Sequence, residues 1–77
     1  MPRAFILVNV EPGAEEQVLK QLKSIEGVEE SYVTYGVYDL MARAKADTMG
    51  ELKDLVTYKI RTFKQVRSTL TLIMMEE

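Results

Sequence analysis

Cysteine and histidine are both absent from this sequence of 77 residues. Without cysteine the chain cannot form a disulfide bond, and without either residue it lacks the two commonest ligands of transition metals. Histidine is also the usual general base near neutral pH, and the pairs Glu15–Glu16 and Glu29–Glu30 are typical of solvated surface. The composition therefore predicts no metal, no cofactor and no catalytic residue, so we expect that the protein is not an enzyme.

Long apolar runs, clustered glycines and an excess of positive charge are missing as well. The apolar run before Asn9 is too short for the core of a signal peptide or for a membrane span. The four glycines are isolated from one another, which argues against a glycine-rich phosphate loop. Ten basic and twelve acidic side chains give a net charge of -2, unlike the basic surface that binds nucleic acid. We expect a cytoplasmic protein that contacts neither a membrane nor nucleic acid directly.

Chain length limits the core that this protein can form. A domain of 77 residues buries only about 60% of the surface that its unfolded chain exposes. Small domains therefore commonly depend on disulfides, a metal or oligomerisation for stability. Because the composition excludes disulfides and the commonest transition-metal ligands, the sequence predicts a single domain, residues 1–77, that forms a homo-oligomer.

Two hydrophobic periods alternate along the chain. Apolar and β-branched residues predict strands over residues 4–10, 28–35, 40–46 and 66–75. Helical spacing predicts one helix over residues 14–25, and a second that Thr48 and Glu51 begin as a capping box and that ends near Lys64. The order β-α-β-β-α-β predicts a ferredoxin-like α+β fold, a four-stranded antiparallel sheet with both helices on one face. We expect the first and last strands at its centre.

The predicted first and last strands are apolar on both faces. A strand with one face in water alternates apolar with polar residues, and these two strands do not. The pattern predicts that the face away from the helices carries four apolar residues, namely Phe5, Leu7, Ile73 and Met75. Burial of such side chains stabilises a protein by about 1.5–3 kcal/mol each, so we expect two sheets to pack face to face as a dimer. The alternative is a few hydrophobic residues tolerated on the surface.

The segment Tyr35-Gly36-Val37-Tyr38-Asp39 combines residue types that can recognise a small molecule. Gly36 permits a positive φ and lets a ligand approach the backbone closely. The two tyrosines provide walls that are partly apolar and partly polar, and Asp39 offers a carboxylate to an ammonium group. The alternative is an ordinary hairpin in which Asp39 hydrogen-bonds its own turn.

Two short motifs resemble a known family. Gly36-Val37-Tyr38-Asp39 and Ser68-Thr69-Leu70-Thr71 are similar to segments of the RAM domain, the effector-binding domain of the Lrp/AsnC transcription regulators. The similarity spans nearly the whole chain. Full-length members carry an N-terminal helix-turn-helix domain, whereas this chain starts at the first RAM strand. It therefore resembles the stand-alone RAM proteins.

The resemblance implies a function and a set of site residues. RAM domains pair through their sheets, the dimers form rings that are commonly octamers, and an amino acid binds in clefts between dimers. The residues implied to bind it are Tyr35, Gly36, Tyr38, Asp39, Ser68, Thr69 and Thr71. Backbone N–H groups near Gly36 and a hydroxyl of the last strand would hold the ligand carboxylate, and Asp39 or main-chain carbonyls would receive its ammonium group. Ligand-dependent assembly, including co-assembly with full-length Lrp/AsnC regulators, would then modulate transcription or metabolism.

Other proteins share the predicted topology. An ACT-like regulatory domain also binds amino acids at interfaces, and a small monooxygenase of the dimeric α+β barrel type would be an enzyme. An RNA-recognition module requires basic and aromatic residues on its middle strands, and residues 40–46 do not provide them. A purely structural oligomerisation module is the remaining alternative.

Overall fold

The computed structural model describes residues 1–75. Along the chain the elements are β1 (Arg3–Val10), α1 (Glu15–Lys23), β2 (Val28–Val33), β3 (Leu40–Lys45), α2 (Met49–Asp54), a π-helix (Leu55–Ile60) and β4 (Val66–Met74). This order confirms the predicted β-α-β-β-α-β arrangement and the α+β fold class. Within residues 1–75, no helix has the length and apolarity that crossing a membrane requires.

The four strands form one antiparallel sheet in the order β2-β3-β1-β4. The prediction that the first and last strands are both central was wrong, because β1 and β3 occupy the centre and β4 lies at an edge. The hairpin of β2 and β3 pairs with one side of β1 through β3. The chain that returns through α2 therefore finds a free partner only on the other side of β1.

The core lies between the sheet and the helices. Alternate residues of β1 and β3 point to this side, so that side chains such as Ile6, Val8 and Leu40 are fully buried. Val18 and Leu22 from α1 meet them there. The helices cover this one face, as the fold class requires.

The second helix begins at the predicted Thr48 cap and then changes its winding. Thr48 caps it, because its Oγ1 accepts a hydrogen bond of 3.1 Å from the backbone N–H of Glu51.

Further on, the Arg61 N–H donates to the carbonyl of Val56, five residues earlier, at 2.9 Å. In a continuous α-helix Lys59 would lie about 20° from Leu52, and Ile60 about 80°. The wider π turn brings Ile60 into the core instead, and Lys59 is exposed.

The register of β4 decides which of its residues face away from the helices. Leu72 pairs with Phe5, Leu70 with Leu7, and Met74 with Arg3. The open face therefore carries an apolar stripe, which we define as Phe5, Leu7, Leu70, Leu72 and Met74.

The assignment of Ile73 to the open face was wrong. Ile73 pairs with Ala4, a buried residue of the helix side, and packs against the core. A shift of one residue exchanges the two faces of a strand, and the pairing with β1 sets β4 opposite to the prediction. Met75 follows the last residue of β4 and is exposed.

Candidate functional site

The loop between β2 and β3, residues 34–39, is anchored to the end of β1. Thr34 closes the loop, with its N–H donating to the carbonyl of Asp39 at 2.9 Å and its Oγ1 to that of Tyr38 at 2.7 Å. The Asp39 N–H donates to the Val8 carbonyl at 3.0 Å, and Asp39 Oδ2 accepts from the Val10 N–H at 2.9 Å. The carboxylate of Asp39 thus accepts its hydrogen bond from the end of β1 and not from its own turn.

The tip of this loop projects into solvent. Tyr35 and Val37 are exposed, and Tyr38 is half-buried. Gly36 has φ +133°, and a Cβ added there would meet no atom within 4 Å. The backbone at Gly36 therefore has a positive φ that favours glycine, and the space around Gly36 is open to another molecule.

The start of β4 contains a bulge beside Asp39. Val10 pairs with Val66 and Asn9 with Ser68, so Arg67 is an extra residue in the ladder. The Nδ2 of Asn9 lies 3.4 Å from Ser68 Oγ. The Nε of Arg67 lies 3.7 Å from Glu11 Oε2, and both side chains are more than half exposed.

Two depressions meet at this bulge, and we call them together the β4 groove. The smaller, of about 400 Å³, is lined by Asn9, Val10, Asp39, Arg67 and Ser68. The larger, of about 560 Å³, shares Arg67 and Ser68 and continues between β4 and the second helix. Its other polar lining residues are Lys53, Thr57, Arg61, Thr69 and Thr71.

The β4 groove brings together four of the seven residues that the motifs implied. They are Asp39, Ser68, Thr69 and Thr71. Tyr35, Gly36 and Tyr38 do not line it within one copy of the chain. Sequence reasoning missed its cations Lys53, Arg61 and Arg67. The sequence offered one signal for two of these cations. Lys53 and Arg61 each directly follow a buried residue, Leu52 and Ile60, so the two pairs have the same spacing.

The charges of the groove suit a zwitterion. Arg67 carries a planar fork of donors that matches a carboxylate, and Ser68 beside it adds a hydroxyl. Asp39 faces the same depression and can accept from an ammonium group. An α-amino acid presents these two charged groups on one carbon atom, so the depression offers a partner for each.

Another groove, of about 690 Å³ and thus larger than either depression alone, lies at the opposite end of the sheet. Its rim includes four carboxylates, from Glu26, Asp47, Glu51 and Asp54, together with Lys45 and Lys59. None of the residues that the two motifs implied lines it. Size alone therefore does not identify the site, and the motif residues favour the β4 groove.

The open face of the sheet is a second candidate functional surface. Beside the apolar stripe, a bulge between Val28 and Glu30 brings Glu29 into a network of ion pairs. Glu29 lies 3.5 Å from each of Arg3, Arg43 and Lys45. Arg43 also pairs with Glu30, which accepts a hydrogen bond from the Tyr32 hydroxyl.

This hydrogen bond and the negative charge of Glu30 raise the pKa of Tyr32 above its ordinary value. The open face therefore has one half with the apolar stripe, on β1 and β4, and another half, toward β2 and β3, that carries these charges together with Met41.

Comparison with known proteins gives a consistent family assignment. The sequence matches the profile of the Lrp/AsnC ligand binding domain over residues 3–77. The regulatory protein AsnC of Haemophilus influenzae is 36% identical over 61 residues, which are 79% of this chain and 41% of that protein. This chain spans about half the length of the curated relatives it matches, which are named as regulators.

Solved structures agree in fold. A hypothetical protein from Pyrococcus horikoshii is 38% identical, with a TM-score of 0.93 over 100% of this chain and 93% of its own. AsnC of Escherichia coli is 26% identical, with a TM-score of 0.91 over 99% of this chain and 52% of its own. The resemblance that the two motifs indicated is confirmed. The chain belongs to the family of Lrp/AsnC ligand binding domains.

Proposed function

We propose that residues 1–77 form a single cytoplasmic, non-enzymatic domain that binds a free amino acid in the β4 groove and acts in regulation through its assembly. The observation that carries this proposal is the meeting of Asp39, Arg67 and Ser68 in one depression. A ligand carboxylate would bind Arg67 and Ser68, and its ammonium group would bind Asp39.

The setting of Asp39 supports this role. Its Oδ2 accepts from the Val10 N–H, which fixes the orientation of the carboxylate before a ligand arrives. Groups that are already ordered lose little conformational entropy on binding, so more of the interaction energy contributes to affinity. A carboxylate can accept several hydrogen bonds, and the bond from Val10 is one of them.

The fold of one distant relative is compatible with such a ligand. A transcriptional regulator from Neisseria meningitidis, solved as a complex with L-methionine, has a TM-score of 0.88 to this chain and 18% identity. At that identity the likeness supports the fold alone. The charges of this chain's own groove support an amino acid as its ligand.

Tyr35, Gly36 and Tyr38 are assigned to the same site through a second dimer. The loop tip projects into solvent, and these three residues line neither depression of the β4 groove in one copy of the chain. We therefore place it over the β4 groove of a neighbouring dimer, where its backbone N–H groups and tyrosine rings would cover the ligand. A ligand held between dimers stabilises the ring that they form, such as an octamer, because it binds only the assembled state.

The apolar stripe supports the dimer from which such a ring is built. Leu70 and Leu72 are more than one-third exposed in one copy, and Phe5 and Leu7 lie beside them on β1. A second copy with the same stripe would bury these side chains face to face. Full-length Lrp/AsnC regulators are a further partner, through a matching sheet face. Membranes and direct contact with nucleic acid are not part of the proposal.

Calorimetric titration with each of the twenty amino acids tests the proposal. Wild-type protein should bind at least one of them, and Asp39→Asn should weaken that binding at least tenfold. Asparagine keeps an oxygen for the Val10 N–H and removes only the charge. Asp54→Asn is the matched control, because Asp54 is an exposed carboxylate that lines the groove at the opposite end of the sheet. Absence of heat with every amino acid would leave only a structural role in assembly.

A further inference from the structure

We infer that the β4 groove selects an amino acid with a second carboxylate, the class of aspartate and glutamate. This inference rests on the proposed function and adds the chemical class of the ligand. The groove carries more positive than negative charge. Lys53, Arg61 and Arg67 line it, and Asp39 is the one carboxylate among its described lining residues.

A neutral amino acid would leave this surplus unmatched. Its carboxylate and ammonium group satisfy Arg67 and Asp39, and its side chain would then cover Lys53 and Arg61 without pairing with them. Covering a charge that has no partner is unfavourable, because the charge loses water and gains nothing in return. A ligand with two carboxylates and one ammonium group matches the groove more closely.

The cations are available to a ligand. Among residues 1–75 the ion pairs of the structure involve Arg3, Arg43, Lys45 and Arg67, and neither Lys53 nor Arg61 forms one. The pair of Arg67 with Glu11 is long, at 3.7 Å, and both side chains are more than half exposed. Such pairs contribute little, so a ligand carboxylate can replace Glu11.

The residues that line the groove indicate where the side chain of the ligand would lie. Arg67 and Ser68 are shared by both depressions, and Thr69 and Thr71 continue the larger one along β4. Thr69 and Thr71 are about 6.6 Å apart along an ideal strand, so their hydroxyls lead away from Arg67 and Ser68 along the larger depression. Three apolar residues, Leu52, Val56 and Ile73, also line this part and can contact the methylene groups of the ligand.

The test compares ligands that differ in one group. Calorimetric titration of the wild-type protein should show L-glutamate or L-aspartate binding at least tenfold more tightly than its own amide, and more tightly than L-leucine or L-methionine. Glutarate, which has both carboxylates and no ammonium group, should bind at least tenfold more weakly than L-glutamate. Inorganic phosphate should not compete with L-glutamate at equal concentration.

Charge reversal then assigns the preference to the groove. Arg61→Glu should abolish the preference for the dicarboxylic ligand and favour L-lysine or L-arginine instead. Lys59→Glu is the matched control, because Lys59 lies two residues before Arg61, in the π-helix that Arg61 follows, but lines the opposite groove. Its ligand preference should equal that of the wild type, and circular dichroism should show the same helix content for both variants.

The outcomes separate the inference from the proposal beneath it. If a neutral or basic amino acid binds best, the inference is wrong and the proposed function stands. Equal binding of glutarate or phosphate would overturn the inference, because the groove would then be a general anion site. If no amino acid binds, both the inference and the proposed function are wrong.

Discussion

At the scale of single residues, Gly27, in the loop between α1 and β2, shows how limited space restricts the choice of side chain. Its φ is +101°, and a Cβ built on it would lie 2.7 Å from Leu55 Cδ1 and 3.0 Å from the carbonyl oxygen of Lys45. Its own carbonyl accepts a hydrogen bond of 2.8 Å from the Lys45 N–H, so the backbone cannot easily retreat. Position 27 therefore requires glycine for space as well as for conformation.

Gly27→Ala should lower the free energy of unfolding by about 2–4 kcal/mol, through steric overlap and a positive φ together. Gly13→Ala is the matched control, because Gly13 also has a positive φ, +87°, but a Cβ there meets nothing within 4 Å. Its cost should be only the backbone term of about 1–2 kcal/mol. Urea unfolding at one fixed protein concentration measures both. Equal losses for the two variants would contradict the close contact at Gly27.

At the scale of elements, the π-helix explains why the buried residues of the second helix do not keep regular α-helical spacing. The second helix buries four apolar residues, Leu52, Leu55, Val56 and Ile60. Regular α-helical spacing would bury position 59, which is lysine, in place of position 60. The additional residue in the π turn resolves this conflict and keeps the charge in solvent.

Paired alanine substitutions test this winding. Ile60→Ala should destabilise the protein by about 2–5 kcal/mol, because it removes a fully buried side chain and leaves a cavity. Lys59→Ala should change the free energy of unfolding by no more than about 0.5 kcal/mol. Thermal unfolding followed by circular dichroism compares them. A larger effect at Lys59 than at Ile60 would indicate an ordinary α-helix through this segment.

Features that depend on local interactions could be predicted from the sequence, and features that depend on contacts between distant segments could not. The strands, the helices and the Thr48 cap follow from local periodicity, and their bounds agreed within a few residues. The face of Ile73 did not follow, because β4 is apolar on both sides near its end and its register is set by β1. The same limit applies to the β4 groove, where Arg61 and Asp39 come from distant segments and meet Ser68 only in the folded chain.

At the scale of the whole molecule, the open face combines two kinds of surface. The apolar stripe lies on β1 and β4, and the ion pairs of Glu29 with Arg3, Arg43 and Lys45 lie toward β2 and β3. Placing these charges against an apolar stripe would remove them from water at a high cost. We therefore expect a two-fold dimer in which stripe meets stripe and the charged half forms its rim.

Leu72→Lys should separate such a dimer into monomers. Leu72 lies in the stripe opposite Phe5 and is about half exposed in one copy, so lysine fits the isolated chain but would bury an ammonium group at the interface. Equilibrium sedimentation at micromolar concentration should show wild-type protein as a dimer or higher species and the variant as a monomer with unchanged secondary structure. Tyr58→Lys, at an exposed aromatic residue outside the stripe, should sediment as wild type. Because a charge at Leu72 is harmless unless another chain covers it, an unchanged mass for Leu72→Lys would mean that the two sheets do not meet there.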